Sequence, residues 1–209
     1  MTAQTAATLA PHWRFANDPG VLGDIGEPEV NLCVWQRSLA SALQQAVSAV
    51  LREQPRLRVQ QSGTEDSLRS SLQARLGEAG QPLTDDVCQL VDMVGFLFDH
   101  PTWGVRLTAL DRAMCPRYHV DQVTARLITT YQGPGMQWLL NDAISRRSRP
   151  EGGLDLPPDD RLDHQQLNAG DVALCKGDGW AGAAGHGLIH RSPEPPEGQT
   201  RLLLTLDPC

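Results

Sequence analysis

The chain has 209 residues, 40 % hydrophobic, 5 % aromatic and 21 % charged, and 25 acidic groups against 18 basic ones give a net charge of -7. That length supports one core with a helical appendage, and the acidic balance argues against a nucleic-acid binder, which needs a basic face. No apolar run approaches the ~18 to 20 residues that span a bilayer, so neither nucleic acid nor a membrane is an expected partner.

The start, Met1 to Ala6, has neither the basic nor the apolar region of a signal peptide. The first 30 or so residues, rich in Pro, Gly, Ala and acidic groups, read as a surface arm anchored by Trp13 and Phe15, with a short strand at Asn31 to Trp35. Spacings of three and four then place Leu39, Leu43, Ala46, Val47, Val50 and Leu51 on one helical face. A second helix is expected after Thr64, through Leu68, Leu72 and Leu76, with Gly80 as its stop. A third is expected from Thr84, with Asp85 and Asp86 favoured by the dipole in its first turn and Pro101 as its end.

After Pro101 the period changes. Val105 to Ala109 alternates, Thr124 to Tyr131 is rich in β-branched and apolar residues, and Val172 to Lys176 is a short apolar run between glycine turns. Leu202, Leu204 and Leu206 alternate with Arg201, Leu203 and Thr205. Short strands separated by Gly/Pro turns predict a small barrel or sandwich. Pro150 to Asp163 is acidic and reads as a surface loop, and Arg146, Arg147 and Arg149 as a solvated basic cluster. The expectation is an α+β chain, 1–209 as one cooperative unit. Its residues 1–101 would be an arm and a helical half, packed on a β-barrel part, 102–209, that carries the site. The five cysteines are widely spaced with no Cys-x-x-Cys pair, so neither a disulfide framework nor a zinc ribbon is indicated. A reducing, cytoplasmic setting follows as an expectation.

The segment Cys115-Pro116-Arg117-Tyr118-His119-Val120-Asp121 bears the chemistry. In an extended chain residues two apart share a face, so His119 and Asp121 can point into a barrel together. They supply two of the three ligands of the two-His-one-carboxylate arrangement of non-haem Fe(II), and His190, just before the last strand, is the candidate third. Such a triad leaves coordination positions open for substrate and dioxygen. If the leucine face of the last strand packs on the helices, Arg201 points inward, either to hold an anion through its planar fork or to pair with an acid such as Asp171. Arg126 is either an inward charge, pairing with a carboxylate or an anionic ligand, or a surface charge. Tyr131 and Trp138 read first as core, with Tyr131 kept as a candidate cofactor contact. Cys115 is a small buried residue or a thiolate ligand, which would favour zinc. His186 is a loop residue or a further ligand, and His12, His100 and His164 read as surface or capping groups.

The order His119-x-Asp121, Gly170-Asp171 before an apolar strand, distal His190, and Arg201 eleven residues further on resembles the iron- and 2-oxoglutarate-dependent dioxygenases over the last 95 or so residues. The serine that many of those enzymes carry two residues after the arginine is Leu203 here. The resemblance implies a double-stranded β-helix, cupin- or jelly-roll-like, in the second half of the chain. It also implies Fe(II) held by His119, Asp121 and His190, and Arg201 gripping 2-oxoglutarate while a small-molecule or peptidic substrate is oxidised. The alternative is a non-catalytic, cupin-like binder of zinc or another divalent ion. Cys115 to Asp121, Thr130 to Gly135, Gly170 to Leu174, Ile189 to Pro193, Leu202 to Asp207 and Asn31 to Arg37 together resemble the family called domain of unknown function 1826 over most of the chain.

Overall fold

The computed structural model describes residues 11–141, 154, 156, 161–182 and 185–209. The basic cluster Arg146, Arg147 and Arg149 and most of the acidic Pro150 to Asp163 loop lie outside the described residues. The first part of the chain forms β1 (Trp13–Ala16), a 3₁₀ segment (Pro19–Gly26), β2 (Leu32–Trp35), α1 (Ser41–Glu53), β3 (Arg58–Gly63), α2 (Glu65–Leu76) and α3 (Gln81–Phe98). The second part forms β4 (Trp103–Leu110), β5 (Ala125–Gln132), β6 (Gln137–Leu139), β7 (His164–Gln166), β8 (Val172–Lys176), β9 (His190–Arg191) and β10 (Arg201–Pro208).

Two sheets result: a seven-stranded one in the order β1-β2-β8-β5-β10-β4-β3, and a small one in the order β7-β6-β9. β1 and β2 run parallel, and the other pairings are antiparallel. The alternation in β10 sets the layers. Leu202, Leu204 and Leu206 pack into a core shared with Leu43 and Val47 of α1, Leu72 of α2 and Leu83, Val87 and Val91 of α3. Leu203, one residue out of phase, packs with Ile128, Met136, Trp138 and Leu188 in a second core that the small sheet covers. Full burial of each such leucine is worth about 1.5 to 3 kcal/mol, so a one-residue slip of β10 would forfeit both cores.

The helices carry the expected faces, with three adjustments at their ends. Gly77, at φ 67, closes α2, rather than Gly80. α3 starts at Gln81 with Pro82 in its first turn, where a missing N–H costs nothing, so Thr84 is a fully buried residue inside the helix rather than its cap. Asp99, left-handed at φ 48, ends α3 before Pro101 is reached.

The N-terminal half is not simply helical. It supplies β1 and β2 at one edge of the large sheet and β3 at the other, so strands of the sheet come from both sides of residue 102. β1 contains Trp13 and Phe15, which meet Trp138 of the small sheet at ring-centroid distances of 6.4 and 6.1 Å. β3 is polar except for Val59, the one residue of the strand that is buried. An edge strand with a wet face has little apolar alternation to reveal it. His12 is buried and bonded to Asn31 and Asn141 rather than exposed. Among the described residues no helix is long and apolar enough to cross a membrane.

Candidate metal centre

His119 and His190 are cross-strand partners. Each donates its backbone N–H to the other's carbonyl at 3.0 Å, which brings the ring centroids to 4.6 Å. Asp121 follows two residues after His119 and completes a cluster whose ligand atoms all lie within 4.8 Å of one another. The carboxylate stands 3.6 Å from His119 Nε2 and 3.4 Å from His190 Nε2. Neighbouring donors around an ion with bonds of about 2.1 Å are separated by about 3 Å, so small side-chain rotations close the shell.

The hydrogen bonds around the cluster orient it for a cation. His119 Nδ1 donates to the carbonyl of Arg117 at 3.0 Å and His190 Nδ1 to that of Leu188 at 3.1 Å. A carbonyl can only accept, so both Nδ1 atoms carry hydrogen and both Nε2 atoms present lone pairs to the carboxylate, as in histidines that ligate metals. Asp121 Oδ1 accepts from Arg126 Nη1 at 2.8 Å, whereas Oδ2 is buried with no hydrogen-bond partner among the described residues. Three lone-pair donors facing one another repel unless a proton or a metal ion lies among them. The donor set fits a divalent ion with open positions, of the Fe(II) type.

Without an ion, the proton goes to His119. Its pKa is raised by the hydrogen bond to Asp121, against burial. Burial lowers His190 to about 4, against the attraction of Asp121. Burial raises Asp121, but the His119 hydrogen bond and the charges of His190 and Arg126 outweigh it and hold the carboxyl at about 2.

Glycines clamp the backbone that carries Asp121. Asp178 donates its N–H to the Asp121 carbonyl at 2.8 Å. A Cβ on Gly177 would stand 2.0 Å from the Val123 carbonyl oxygen and 2.7 Å from that of Asp121. This Gly-Asp-Gly turn was visible in the sequence as a loop; its role as a backstop was not.

Arg201 shares a cavity of about 50 Å³ with His119, His190, Ile128, Met136 and Leu203. It is 1 % exposed, and burial lowers its pKa to about 10, so it remains charged. Its hydrogen bonds go to neutral oxygens: Pro134 O at 2.7 Å, Ser192 Oγ at 2.5 Å and Thr130 Oγ1 at 3.1 Å. No acidic partner faces it among the described residues, and Asp171 instead accepts from the Asn168 N–H at 2.8 Å. Ser192 and Thr130, which sequence reasoning missed as site residues, supply hydroxyls beside the arginine. Gly133 makes room for it: at φ 86, with a built Cβ 3.2 Å from Arg201 Cα and Cβ, the position suits glycine.

Of the two further cofactor candidates, Arg126 lines the cavity with Arg201 and pairs with carboxylates, one of the alternatives open for it, while Tyr131 faces the helices. Arg126 is spent on carboxylates, donating to Asp121 and, through Nε at 2.5 Å and Nη2 at 2.9 Å, to Asp207. It therefore orients the Asp121 carboxylate. Tyr131 sits where the β5–β10 register shifts, Leu202 pairing with Gln132 and Leu203 with Thr130. Alternation along β5 turns Ile128 and Thr130 inward and Leu127 and Tyr131 towards the helices, where the Tyr131 hydroxyl donates to Asp86 at 2.7 Å. Cys115 is exposed at the cavity rim, and neither it nor His186 joins the cluster.

A family profile described as a protein of unknown function, DUF1826, matches residues 16–207. The chain belongs to the DUF1826 family. This DUF1826 chain is similar in structure to the rice dioxygenase for auxin oxidation, at 13 % identity and TM-score 0.50, over 85 % of this chain and 72 % of that one. It is similar to a full-length Neurospora crassa protein crystallised in complex with alpha-KG, at 11 % identity and TM-score 0.50, over 90 % and 77 %. It is also similar to a bsmA homolog from Methylobium petroleophilum, at 14 % identity and TM-score 0.50, over 90 % of each chain. At these identities the likeness is one of fold. No curated protein matches the DUF1826 chain in sequence.

Proposed function

We propose that this protein is a non-haem Fe(II)-dependent oxygenase that uses 2-oxoglutarate to oxidise a small-molecule or peptidic substrate. The observation that carries the reading is the buried Arg201, with no acidic partner among the described residues, in one cavity with the imidazoles of a His-Asp-His cluster. A buried charge without a counter-ion is costly, and a ligand carboxylate is the partner that its two-pronged fork suits. The Neurospora crassa protein of like fold was solved with that oxo acid bound.

His119, His190 and Asp121 Oδ2 would hold the ion, and bound Fe(II) would supply the redox chemistry that couples dioxygen to decarboxylation of the oxo acid. The chain's residues do the rest. Arg126 fixes the Asp121 carboxylate through Oδ1, so that Oδ2 is turned to His190. Ser192 and Thr130 hold the Arg201 fork in place, and Ile128, Met136 and Leu203 keep water from the cavity wall. A closed zinc site is the weaker reading, because only three donors gather among the described residues and a structural zinc site takes four.

The test is succinate formation from 2-oxoglutarate by protein loaded anaerobically with Fe(II) and then exposed to air, together with calorimetric titration of the oxo acid. Arg201→Lys keeps the charge and loses the fork. It should leave metal binding intact and weaken oxo-acid binding at least tenfold. Wild-type protein that binds Fe(II) but never 2-oxoglutarate would sink the assignment.

A further inference from the structure

The inner face of the large sheet does not end at the cavity. Leu203 and Thr205 of β10 line the cavity, and their partners on β4 are Thr108 and Arg106. Both partners line a second, larger groove of about 700 Å³ that runs on to edge strand β3. Adjacent strands are only about 4.8 Å apart, so the two sites are neighbours on one surface. Met114, a large hydrophobic side chain that is exposed, borders both.

The charge of this groove opposes that of the molecule. Against a net charge of -7 for the chain, its walls carry Arg56, Arg58, Arg106 and Arg112 and one acid, Asp111. Arg56, Arg58 and Arg112 are exposed and in no ion pair among the described residues. Arg106 shares Asp207 with Arg126, which in turn holds Asp121. A continuous chain of alternating charges thus links the groove to the candidate metal ligand.

We propose that this groove binds an acidic peptide segment, the flanking part of the primary substrate, and leads it past Met114 to the metal cavity. The substrate role rests on the oxygenase reading above; the binding role does not. Excess arginine in a concave wall selects carboxylates by their matching fork geometry. β3 is the last strand of the sheet among the described residues, where its outer backbone groups have no strand partner. An extended peptide can pair with them while its side chains reach Arg58 and Arg112. A single-stranded nucleic acid fits less well, because among the described residues no aromatic side chain lines the groove to stack a base.

The experiment uses full-length protein, Zn(II)-loaded to prevent turnover, and fluorescence anisotropy with a labelled ten-residue peptide of alternating glutamate and serine. The controls are the lysine–serine peptide and a ten-residue oligothymidylate. The acidic peptide should bind at least tenfold more tightly than either, with affinity falling as salt rises. Arg58→Glu and Arg112→Glu, both at exposed positions and checked for unchanged circular dichroism, should each lower its affinity at least tenfold. Equal binding of the three probes, preference for the oligonucleotide, or indifference to both charge reversals overturns the groove. If the acidic peptide binds through these arginines but the Fe(II) protein consumes no 2-oxoglutarate with or without it, the groove stands and the oxygenase reading falls.

Discussion

The two oxygens of Asp121 have different surroundings, and this difference makes the centre testable one residue at a time. Oδ1 is tied to Arg126, while Oδ2 is buried with no hydrogen-bond partner among the described residues. Loss of an orienting partner behind a ligand typically costs 10- to 100-fold in metal affinity. Arg126→Ala should do so in a calorimetric Fe(II) or Zn(II) titration, and Arg126→Lys should recover part of it by restoring one donor to Oδ1. Titration supplies a second check on the metal-free protein. His190 is held at about 4, below its value near 6.5 when unfolded, so the unfolded chain binds the extra proton and stability falls as pH drops from 6.5 towards 4. Over that window the loss is on the order of 3 kcal/mol. His119 shifts the other way, so its contribution is full below pH 6.5 and is lost as pH rises through its elevated value. Denaturant melts of EDTA-treated protein should therefore show a stability maximum near pH 6.5. A bound divalent ion holds both imidazoles unprotonated and should abolish the loss on the alkaline side. A metal-free profile flat from pH 5 to 8 would contradict the assigned protonation states. The juxtaposition of His119 and Asp121 was legible in the sequence because two-residue spacing is a local rule. The hydroxyls beside Arg201 were not, since Thr130 reaches it from β5 and Ser192 from the residue after β9.

Among the elements, the turn that follows β8 governs the site most directly. Gly177 backs onto the Asp121 to Val123 segment so closely that a Cβ would meet the Val123 carbonyl oxygen at 2.0 Å, a contact that only backbone movement relieves. Gly177→Ala should lower metal affinity at least tenfold while leaving far-ultraviolet circular dichroism nearly unchanged, because the helices pack on the opposite face of the large sheet. Unaltered metal affinity would show that the turn does not set the ligand's position. Elements with strong periods were legible: the three helical faces and the leucine alternation of β10 appear where spacing places them. β3 was not, because its residues Arg58, Gln60 and Ser62 are exposed and only Val59 is buried. Tyr131 shares the helix-facing side of β5 with Leu127, as alternation along the strand requires, so its ring belongs to the core that the helices cover.

At the level of the whole molecule, the division at residue 102 was the part of the fold that the sequence suggested least well, since local periodicity carries no information on which strands become neighbours. The sheet is stitched from distant segments: Leu32 pairs with Cys175, and β10, the last strand described, lies between β5 and β4 in its middle. Pairings of such long sequence separation make a slow folder, because loop-closure entropy is lost before any contact repays it. On a ribosome, the helices and β1 to β5 emerge with a gap at the centre of their sheet, and β2 has no antiparallel neighbour until β8 arrives. His190 comes later still. The first two candidate metal ligands therefore wait, unclosed, for the third, and on the proposed reading the nascent chain should gain its ion only once β10 has emerged, filling the gap and locking the leucine face onto the helices.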